Sequence, residues 1–259
     1  MFQLNCSYLE GAVQMTELLY FDDSYLKEFE AIIVQVTFDE GENRVELDKT
    51  AFYPGGGGQP SDIGWLVAGD NRFKVVKVKK EGGVIWHTLV GEFETMSDSP
   101  RPDQHVSCGL DWENRYKIMR THSAMHILCG VVWRDYEASV TGGNMEPGKG
   151  RMDFEFERME KKLVQEIEAK CNDEVAAARE IRTQLLSREE AVKIPDLIRT
   201  KVNLIPESVK EIRTVEIVGL DLQADGGTHV ANTREVGPIR IVDYKSKGAI
   251  NKRIYLEID

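Results

Sequence analysis

The feature that most constrains the fold of this chain is a change in hydrophobic period near residue 113. Before it, short apolar and β-branched runs at 31–38, 44–47, 65–68, 72–79 and 84–90 are separated by turns rich in Gly and Asn. After it, residues 113–136 contain one glycine and no proline, and their apolar side chains recur on one broad helical face. Short strands at this spacing predict a small barrel or sandwich, and the long apolar face predicts a largely buried helix.

The second half of the chain mixes helix and strand patterns. A second helix is predicted over 158–187, because apolar residues recur there at every fourth position: Met159, Leu163, Ile167, Cys171 and Val175. Ser187, with Glu190 three positions later, fits a capping box at the start of a further short helix. Strands are predicted again at 212–218, 239–242 and 253–258.

A polar, proline-containing stretch at 94–103 predicts a linker between two domains. The expected division is 1–98, an all-β domain with a glycine-rich loop, and 104–259, an α+β domain that contains the buried helix. The fold class predicted for the whole chain is therefore α+β.

Composition excludes several classes of protein. Lys and Arg total 33 against 44 Asp and Glu, so the formal net charge of the 259-residue chain is −11, with 41% hydrophobic residues. A chain of this kind is not disordered, and it has no apolar run near the ~20 residues of a membrane helix. The acidic balance argues against unspecific coating of nucleic acid, but the cations between Arg240 and Arg253 leave room for a small local footprint.

The cysteines and the start of the chain predict a cytoplasmic protein. The four cysteines, at positions 6, 108, 129 and 171, have no paired spacing, as expected of free thiols in a reducing compartment. The first residues have neither a basic start nor a long apolar centre, which argues against a secretory signal.

Three of the five histidines form a pattern typical of a zinc site. His122 and His126 are four residues apart on the buried helix and project from one face. His229 follows a Gly-Gly turn that begins at Asp225 and can aim both side chains at one point. Three imidazoles with an oxygen or sulfur ligand complete a tetrahedral zinc site. Asp225 is the preferred fourth ligand, and Cys129, on the same helical face as the two helix histidines, is the alternative.

Two other enzyme classes are excluded by their motifs. The residues between His122 and His126 include no Glu, so the helix lacks the general base of a zinc protease. Residues 52–62 contain four consecutive glycines flanked by prolines, but no Gly-Lys-Ser/Thr that would make them a phosphate loop. Composition alone favours a flexible surface loop there, and Gln59 and Asp62 are its obvious chemical groups.

These signals occur together, in this order, in a known family. Segment 52–62, the helical segment 120–128 and the turn 226–230 resemble the editing domain of alanyl-tRNA synthetase, and more closely its free-standing relatives, the AlaX proteins of medium length. The editing domain of threonyl-tRNA synthetase shares the histidine motif but lacks the glycine-rich loop. The resemblance covers about 15–259 and implies a translation-factor-like β-barrel followed by an editing domain with the His-x-x-x-His helix buried.

The resemblance also implies an activity and site residues. It implies a zinc-dependent hydrolase that deacylates mischarged tRNA(Ala), chiefly the seryl and also the glycyl form, at the acceptor end. His122, His126 and His229 match the family's zinc ligands, and Asp225 occupies a position that is commonly Cys. Gln59 matches a glutamine of the editing pocket, and Thr141 lies in the stretch where the family has a threonine that senses the serine hydroxyl.

Several alternatives stay open from the sequence. Zinc either activates the attacking water or anchors the amino group of the substrate. A non-catalytic tRNA- or partner-binding module that retains the fold is the competing function, and a hydrolase of small amino-acid esters is disfavoured. Residues 1–14 have no counterpart in the resemblance and are expected to be dispensable, and His87 and His105 lie outside the motifs and are not expected to bind metal.

Overall fold

The computed structural model describes residues 15–39, 42–91, 99–195, 197 and 209–259. The expectation for 1–14, the cysteine at position 6 and the first half of the predicted linker lie outside the described residues. In the part that is described, no helix is both long and apolar enough to cross a membrane.

The described residues up to Leu110 build a closed β-barrel. Its elements and the short segments beside them are β1 (Glu17–Leu18), α1 (Leu19–Asp22), β2 (Glu28–Asp39), β3 (Glu42–Leu47), β4 (Lys49–Thr50), β5 (Gly64–Ala68), β6 (Asn71–Glu81), β7 (Val84–Val90) and β8 (His105–Leu110). Six strands close in the order β2-β3-β7-β6-β5-β8 with antiparallel pairing throughout. The strands predicted in this half are all present, because their apolar residues alternate toward the barrel interior, as Phe73, Val75 and Val78 do on β6.

The sixth barrel strand comes after the predicted linker. β8 pairs with β2 on one side and with β5 on the other, so the barrel extends past the expected boundary at 98–104 and ends at Leu110. Asp111 then accepts the backbone N–H of Asn114 and begins the next helix directly.

The remaining chain builds an α+β unit around one helix. Its elements are α2 (Trp112–Tyr136), β9 (Val140–Glu146), β10 (Lys149–Glu155), α3 (Lys161–Ala176), β11 (Ile181–Ser187), α4 (Arg188–Ala191), β12 (Glu211–Ile217), β13 (Asp221–Ala224), a 3-10 turn (Thr233–Val236), β14 (Ile239–Ser246) and β15 (Asn251–Ile258). The strands form two antiparallel sheets, β14-β15-β10-β9 and β11-β12-β13. Fifteen of the 25 residues of α2 are buried, so the helix predicted over 113–136 is the centre of the second core, and the α+β class is confirmed.

The second predicted helix is wrong over its last part. α3 ends at Ala176, Ala178 takes a left-handed φ of +52°, and 181–187 form a strand that pairs along its whole length with β12. The apolar repeat that predicted the helix itself ends at Val175, and the ladder with β12 determines the conformation beyond it. The capping box is confirmed, because Ser187 and Glu190 exchange both of its hydrogen bonds at the start of α4.

A buried ion pair joins the barrel to α2. Arg115 and Asp62 are both fully buried, and the guanidinium donates to the carboxylate and to the carbonyls of Ser24 and Ala51. Because Asp62 ends the glycine-rich loop, this pair fixes that loop relative to the helix that carries His122 and His126.

Candidate metal centre

Four side chains converge at one point between α2 and the loop after β13. The possible ligand atoms of His122, His126, Asp225 and His229 all lie within 4.8 Å of one another. The three imidazole centroids form a triangle with sides of 4.2, 4.7 and 5.0 Å. Such a spacing is compatible with one ion bound to all three rings, since zinc–nitrogen bonds are about 2.0–2.1 Å long.

The four candidate ligands come from two kinds of backbone. The helical repeat of α2 stacks His122 one turn above His126, so their proximity needs no other element. Asp225 and His229 belong to residues 225–230, which we call the histidine loop. There the Asp225 carboxylate accepts the backbone N–H of Gly227 at 3.0 Å and contacts Nε2 of His229 at 2.9 Å.

The electrostatic environment favours the metal-binding forms of these groups. Burial lowers the pKa of the His122 imidazole well below its usual range, and His229 beside it adds to that effect. Burial also lowers the pKa of His229 to about 4, against the opposing influence of Asp225. Burial by itself raises the pKa of the Asp225 carboxyl, but the imidazoles outweigh it and hold that pKa well below its usual range. Neutral imidazoles and an ionised carboxylate are the forms that bind a metal.

Two residues that sequence reasoning missed orient the histidines. The Ser123 hydroxyl lies 3.1 Å from Nδ1 of His229 and accepts the backbone N–H of Val230. The Asp221 carboxylate on β13 lies 3.3 Å from Nδ1 of His126. Partners of this kind fix the ring orientation of metal-binding histidines. The available signals were the position of Ser123 inside the His-x-x-x-His motif and an acid between two leucines at Asp221.

The glycine-rich loop lies against the site instead of being a free surface loop. We call residues 54–61 the barrel loop. Gln59 in it is buried, and its amide donates to the Thr228 hydroxyl at 3.0 Å and accepts the Thr228 N–H at 3.1 Å. The carbonyl of Gly58 accepts the N–H of Met145 on β9. The interpretation from composition alone is therefore wrong, because these hydrogen bonds and the Asp62–Arg115 pair hold the loop at both ends.

The barrel loop, α2, β9 and the histidine loop enclose a cleft of about 430 Å³ that opens onto the histidine cluster. Its walls are mostly apolar and consist of Tyr53, Gly56, Gly57, His122, Met125, His126, Cys129, Val140, Gly142, Gly143, Met145, Met152, Gln223, Ala224, Asp225 and Gly226. A cleft of this size and lining accommodates a small organic group.

Cys129 and Thr141, which were also considered for the site, lie at its margin or outside it, and His87 and His105 lie away from the cluster. Cys129 lines the cleft, but its thiol accepts a hydrogen bond from Gln223 and is not grouped with the four candidate ligands. The Thr141 side chain is exposed, and its hydroxyl donates to Asn251 at 3.1 Å. His87 lies inside the barrel, bonded to Thr50 and to the carbonyl of Val45, whereas His105 is exposed on β8.

Comparison with known proteins agrees with this geometry. Residues 212–255, which include the histidine loop, match the family described as "Threonyl and Alanyl tRNA synthetase second additional domain". The alanyl-tRNA editing protein AlaX-M of Methanosarcina barkeri is 38% identical over 246 residues, which are 94% of this chain and 99% of that protein. The AlaX-M protein of Saccharolobus solfataricus is 39% identical over the same shares. The chain belongs to the AlaX-M family.

Two further matches connect the AlaX-M family to synthetases. Residues 3–114 match the family described as "tRNA synthetases class II (A)". That range includes most of 1–14, which counts against the expectation that this segment has no counterpart. The alanine–tRNA ligase of Ignicoccus hospitalis is 37% identical over 88% of this chain, which corresponds to 24% of the ligase.

Proposed function

We propose that this chain is a trans-editing hydrolase that removes the amino acid from mischarged tRNA(Ala), with Ser-tRNA(Ala) as the main substrate and Gly-tRNA(Ala) as a second. The observation that carries the proposal is the cluster of His122, His126, Asp225 and His229 at the end of the cleft. The names of the AlaX-M relatives support the substrate class. Free buried thiols at the described cysteines fit the reducing cytoplasm, where translation takes place.

We propose zinc as the metal of this site. Three imidazoles and one carboxylate are a donor set that zinc accepts, and Nδ1 of His122 is buried without a hydrogen-bond partner among the described residues. Bound there, zinc supplies Lewis acidity close to the ester. The histidine loop and α2 hold the four ligands, and the apolar walls limit the access of bulk water.

Selection between serine and alanine is a matter of hydrogen bonding in the cleft. A hydrophobic pocket sized for alanine cannot strongly reject an analogue that adds one hydroxyl, so a second site must recognise that hydroxyl. We propose Gln59 for this role, because its amide retains one N–H and one lone pair beyond its two bonds to Thr228. Gln59 is buried next to the cleft wall rather than in it, since Gly56 and Gly57 of the same loop form that wall. The resemblance assigns the role to Thr141, whose hydroxyl is bonded to Asn251 in this structure.

The experiment is deacylation of Ser-, Gly- and Ala-tRNA(Ala) by the full chain, with and without a chelator. The proposal predicts release of serine, slower release of glycine, retention of alanine, and loss of activity with the chelator. His122→Ala should abolish both zinc binding and hydrolysis, and His105→Ala, on the exposed face of β8, is the matched control. A protein that binds zinc and tRNA(Ala) but leaves Ser-tRNA(Ala) intact would instead be the non-catalytic binding module.

A further inference from the structure

The cations near the C-terminus do not form a positive patch. Four of the five Lys and Arg residues between 240 and 253 are engaged in contacts within the chain. Arg240 contacts Asp259, Lys245 contacts Asp243, Arg253 contacts Asp153, and Lys252 donates to the carbonyls of Gly248 and Ala249. Three of these charges are thus paired with carboxylates and the Lys252 ammonium is bonded to carbonyls, so this segment offers little free charge to RNA phosphates.

Strand β6 of the barrel, in contrast, is rich in exposed positive charge. Five of its eleven residues are exposed cations, namely Arg72, Lys74, Lys77, Lys79 and Lys80, and Glu81 is its one acid. Within the described part of the chain, Lys79 is the member of this set that has a carboxylate partner, at 2.5 Å from Glu81. A chain of net charge −11 thus has a strip of positive charge on one strand, and four of its five cations have no carboxylate partner among the described residues.

Aromatic side chains lie beside these cations on the outer surface of the barrel. In the sheet register, Trp65 on β5 is the partner of Lys74, and Trp86 on β7 is the partner of Lys79. The guanidinium of Arg72 lies 4.8 Å from the centroid of the Trp65 ring. We call one surface the basic face, and it is formed by Trp65, Arg72, Lys74, Lys77, Lys79 and Trp86.

A shallow cleft of about 450 Å³ lies on the basic face and includes Trp65, Arg72 and Lys74 in its walls. Asp111 is the acidic residue in the walls of this cleft, and its carboxylate accepts the N–H of Asn114 at the start of α2. Cations that alternate with half-exposed aromatic rings are typical of surfaces that bind the RNA backbone and its bases.

The basic face borders the loop that forms one wall of the editing cleft. The backbone N–H of Val78, in the middle of β6, donates to the Ser61 hydroxyl at 3.4 Å. Ser61 ends the barrel loop, and Gly56 and Gly57 of the same loop line the cleft. The barrel loop thus connects the basic face with the wall of the cleft.

We propose that the basic face binds the phosphate backbone of the tRNA substrate beyond its single-stranded 3′ end. The assignment of the RNA as a tRNA rests on the proposed function. The binding itself follows from charge complementarity, because each phosphate contact of a Lys or Arg releases condensed counterions and makes affinity depend on salt.

The experiment measures binding of uncharged tRNA(Ala) to the full chain at several salt concentrations. Lys74→Gln/Lys77→Gln removes two charges from the basic face, and Lys161→Gln/Lys162→Gln removes two exposed charges from α3 as a matched control. For the first variant we expect Kd to rise about tenfold near 0.1 M salt and the slope of log K against log[salt] to fall by about 1.8. The control should keep the Kd and slope of the unmodified protein, and thermal melting checks that both variants are folded.

Equal Kd values and equal slopes for the two double variants would overturn the proposal. The binding assay uses uncharged tRNA, so its result does not depend on hydrolysis. Normal deacylation with unaltered binding by Lys74→Gln/Lys77→Gln would reject the basic face and leave the editing function standing. Weakened binding by that variant, in a protein that deacylates no tRNA, would reject the editing function and leave the basic face standing.

Discussion

The barrel loop and the histidine loop meet at the same cleft, and both contain consecutive glycines, but the glycines differ in conformation and in surroundings. Gly55 to Gly58 all have positive φ, between +59° and +140°. Gly226 and Gly227 have no positive φ. A Cβ built on Gly227 would lie 2.4 Å from Cε1 of His122 and 2.5 Å from Oε1 of Gln59, whereas a Cβ on Gly57 meets nothing within 4 Å. The barrel loop needs glycine for its backbone conformation, and the histidine loop needs it for space at Gly227.

The two loops are also attached differently. The barrel loop is followed directly by Asp62, whose carboxylate accepts hydrogen bonds from Arg115 and from the N–H of Tyr53. The histidine loop is held by Arg213, which donates from Nη1 to the carbonyls of Asp225 and Gly227 at 3.1 and 2.8 Å. Nε and Nη2 of Arg213 are buried with no hydrogen-bond partner among the described residues. Burying these two donors without partners costs free energy. Arg213 nevertheless holds the loop that carries two candidate metal ligands. Substitutions of Arg213 should therefore reduce metal binding more than they reduce folding stability.

The largest effect is expected for Gly227→Ala. The added methyl must displace either the His122 ring or the Gln59 amide, and a displacement of about 1 Å at a catalytic site costs on the order of 100-fold in rate. We expect Ser-tRNA(Ala) deacylation to fall by about that factor, with most of the zinc lost on gel filtration. Metal analysis and single-turnover deacylation measure the two effects.

Gly226→Ala is the matched control for that variant. A Cβ at Gly226 meets nothing within 4 Å, and its backbone is not in the left-handed region. Zinc content should stay at the level of the unmodified protein, and it is the readout for this control because Gly226 also lines the cleft. Equal losses in the two variants would show that the histidine loop needs glycine for flexibility and would contradict the steric explanation.

Arg213→Met should have the next largest effect. Met replaces the aliphatic part of the Arg side chain and is readily accommodated in a buried site, but it leaves the carbonyls of Asp225 and Gly227 without their donor. We expect zinc affinity to fall about tenfold, in the range known for residues that support metal ligands. The melting temperature of the metal-free protein should fall only moderately, because removing a buried charge with two unpartnered donors offsets part of the cost of the two unpaired carbonyls.

Competition with a chelator measures the zinc affinity of Arg213→Met, and Arg213→Lys tests the explanation. Lys keeps a buried donor and a positive charge, so it should recover part of the affinity. A large loss of metal-free stability in Arg213→Met, with zinc affinity unaltered, would assign Arg213 to folding alone.

The sequence predicted the helix-borne half of the candidate site better than the loop-borne half. The spacing of His122 and His126 already specifies their proximity, because helical geometry is local and the pattern of 113–136 is long and regular. Asp225 and His229 were identified from a turn motif, but the contacts that hold them, from Arg213 and Ser123, join positions 12 to 107 residues apart. No local pattern encodes contacts of that range.

The same distinction explains the errors in the fold. The barrel strands have local apolar and β-branched runs and were predicted, whereas 181–187 form a strand through their ladder with β12. The hairpin of β9 and β10 was missed, although Pro147 and Gly148, with a φ of +82°, are a usable turn signal. The barrel loop was misinterpreted because glycine content says nothing about the distant partners Thr228, Arg115 and Met145.

Gly57→Ala should have a smaller effect, and on stability instead of metal binding. Its φ of +59° is unfavourable for an L residue by about 1 kcal/mol, while the space around its Cβ is free. For a chain of this size we expect the melting temperature to fall by about 2–4 °C, with zinc content unchanged. Gly57→Asn is the control, because Asn tolerates the left-handed region and should lose less. Zinc loss in Gly57→Ala without a loss of stability would contradict the conformational explanation.

The smallest effect is expected for Thr141→Val. Thr141 precedes Gly142 and Gly143, the surface of β9 against which Gly58 of the barrel loop packs, but its own hydroxyl points to Asn251 at an exposed position. Replacing that hydroxyl with a methyl removes one exposed hydrogen bond, so the free energy of unfolding should change by no more than about 0.5 kcal/mol. The ratio of kcat/KM for Ser-tRNA(Ala) to that for Ala-tRNA(Ala) should stay constant, since the substrate hydroxyl loses no partner. A tenfold or larger fall confined to the seryl substrate, about 1.4 kcal/mol of transition-state stabilisation, would return hydroxyl recognition to Thr141. It would also mean that β9, and not Gln59 of the barrel loop, carries the specificity of the cleft.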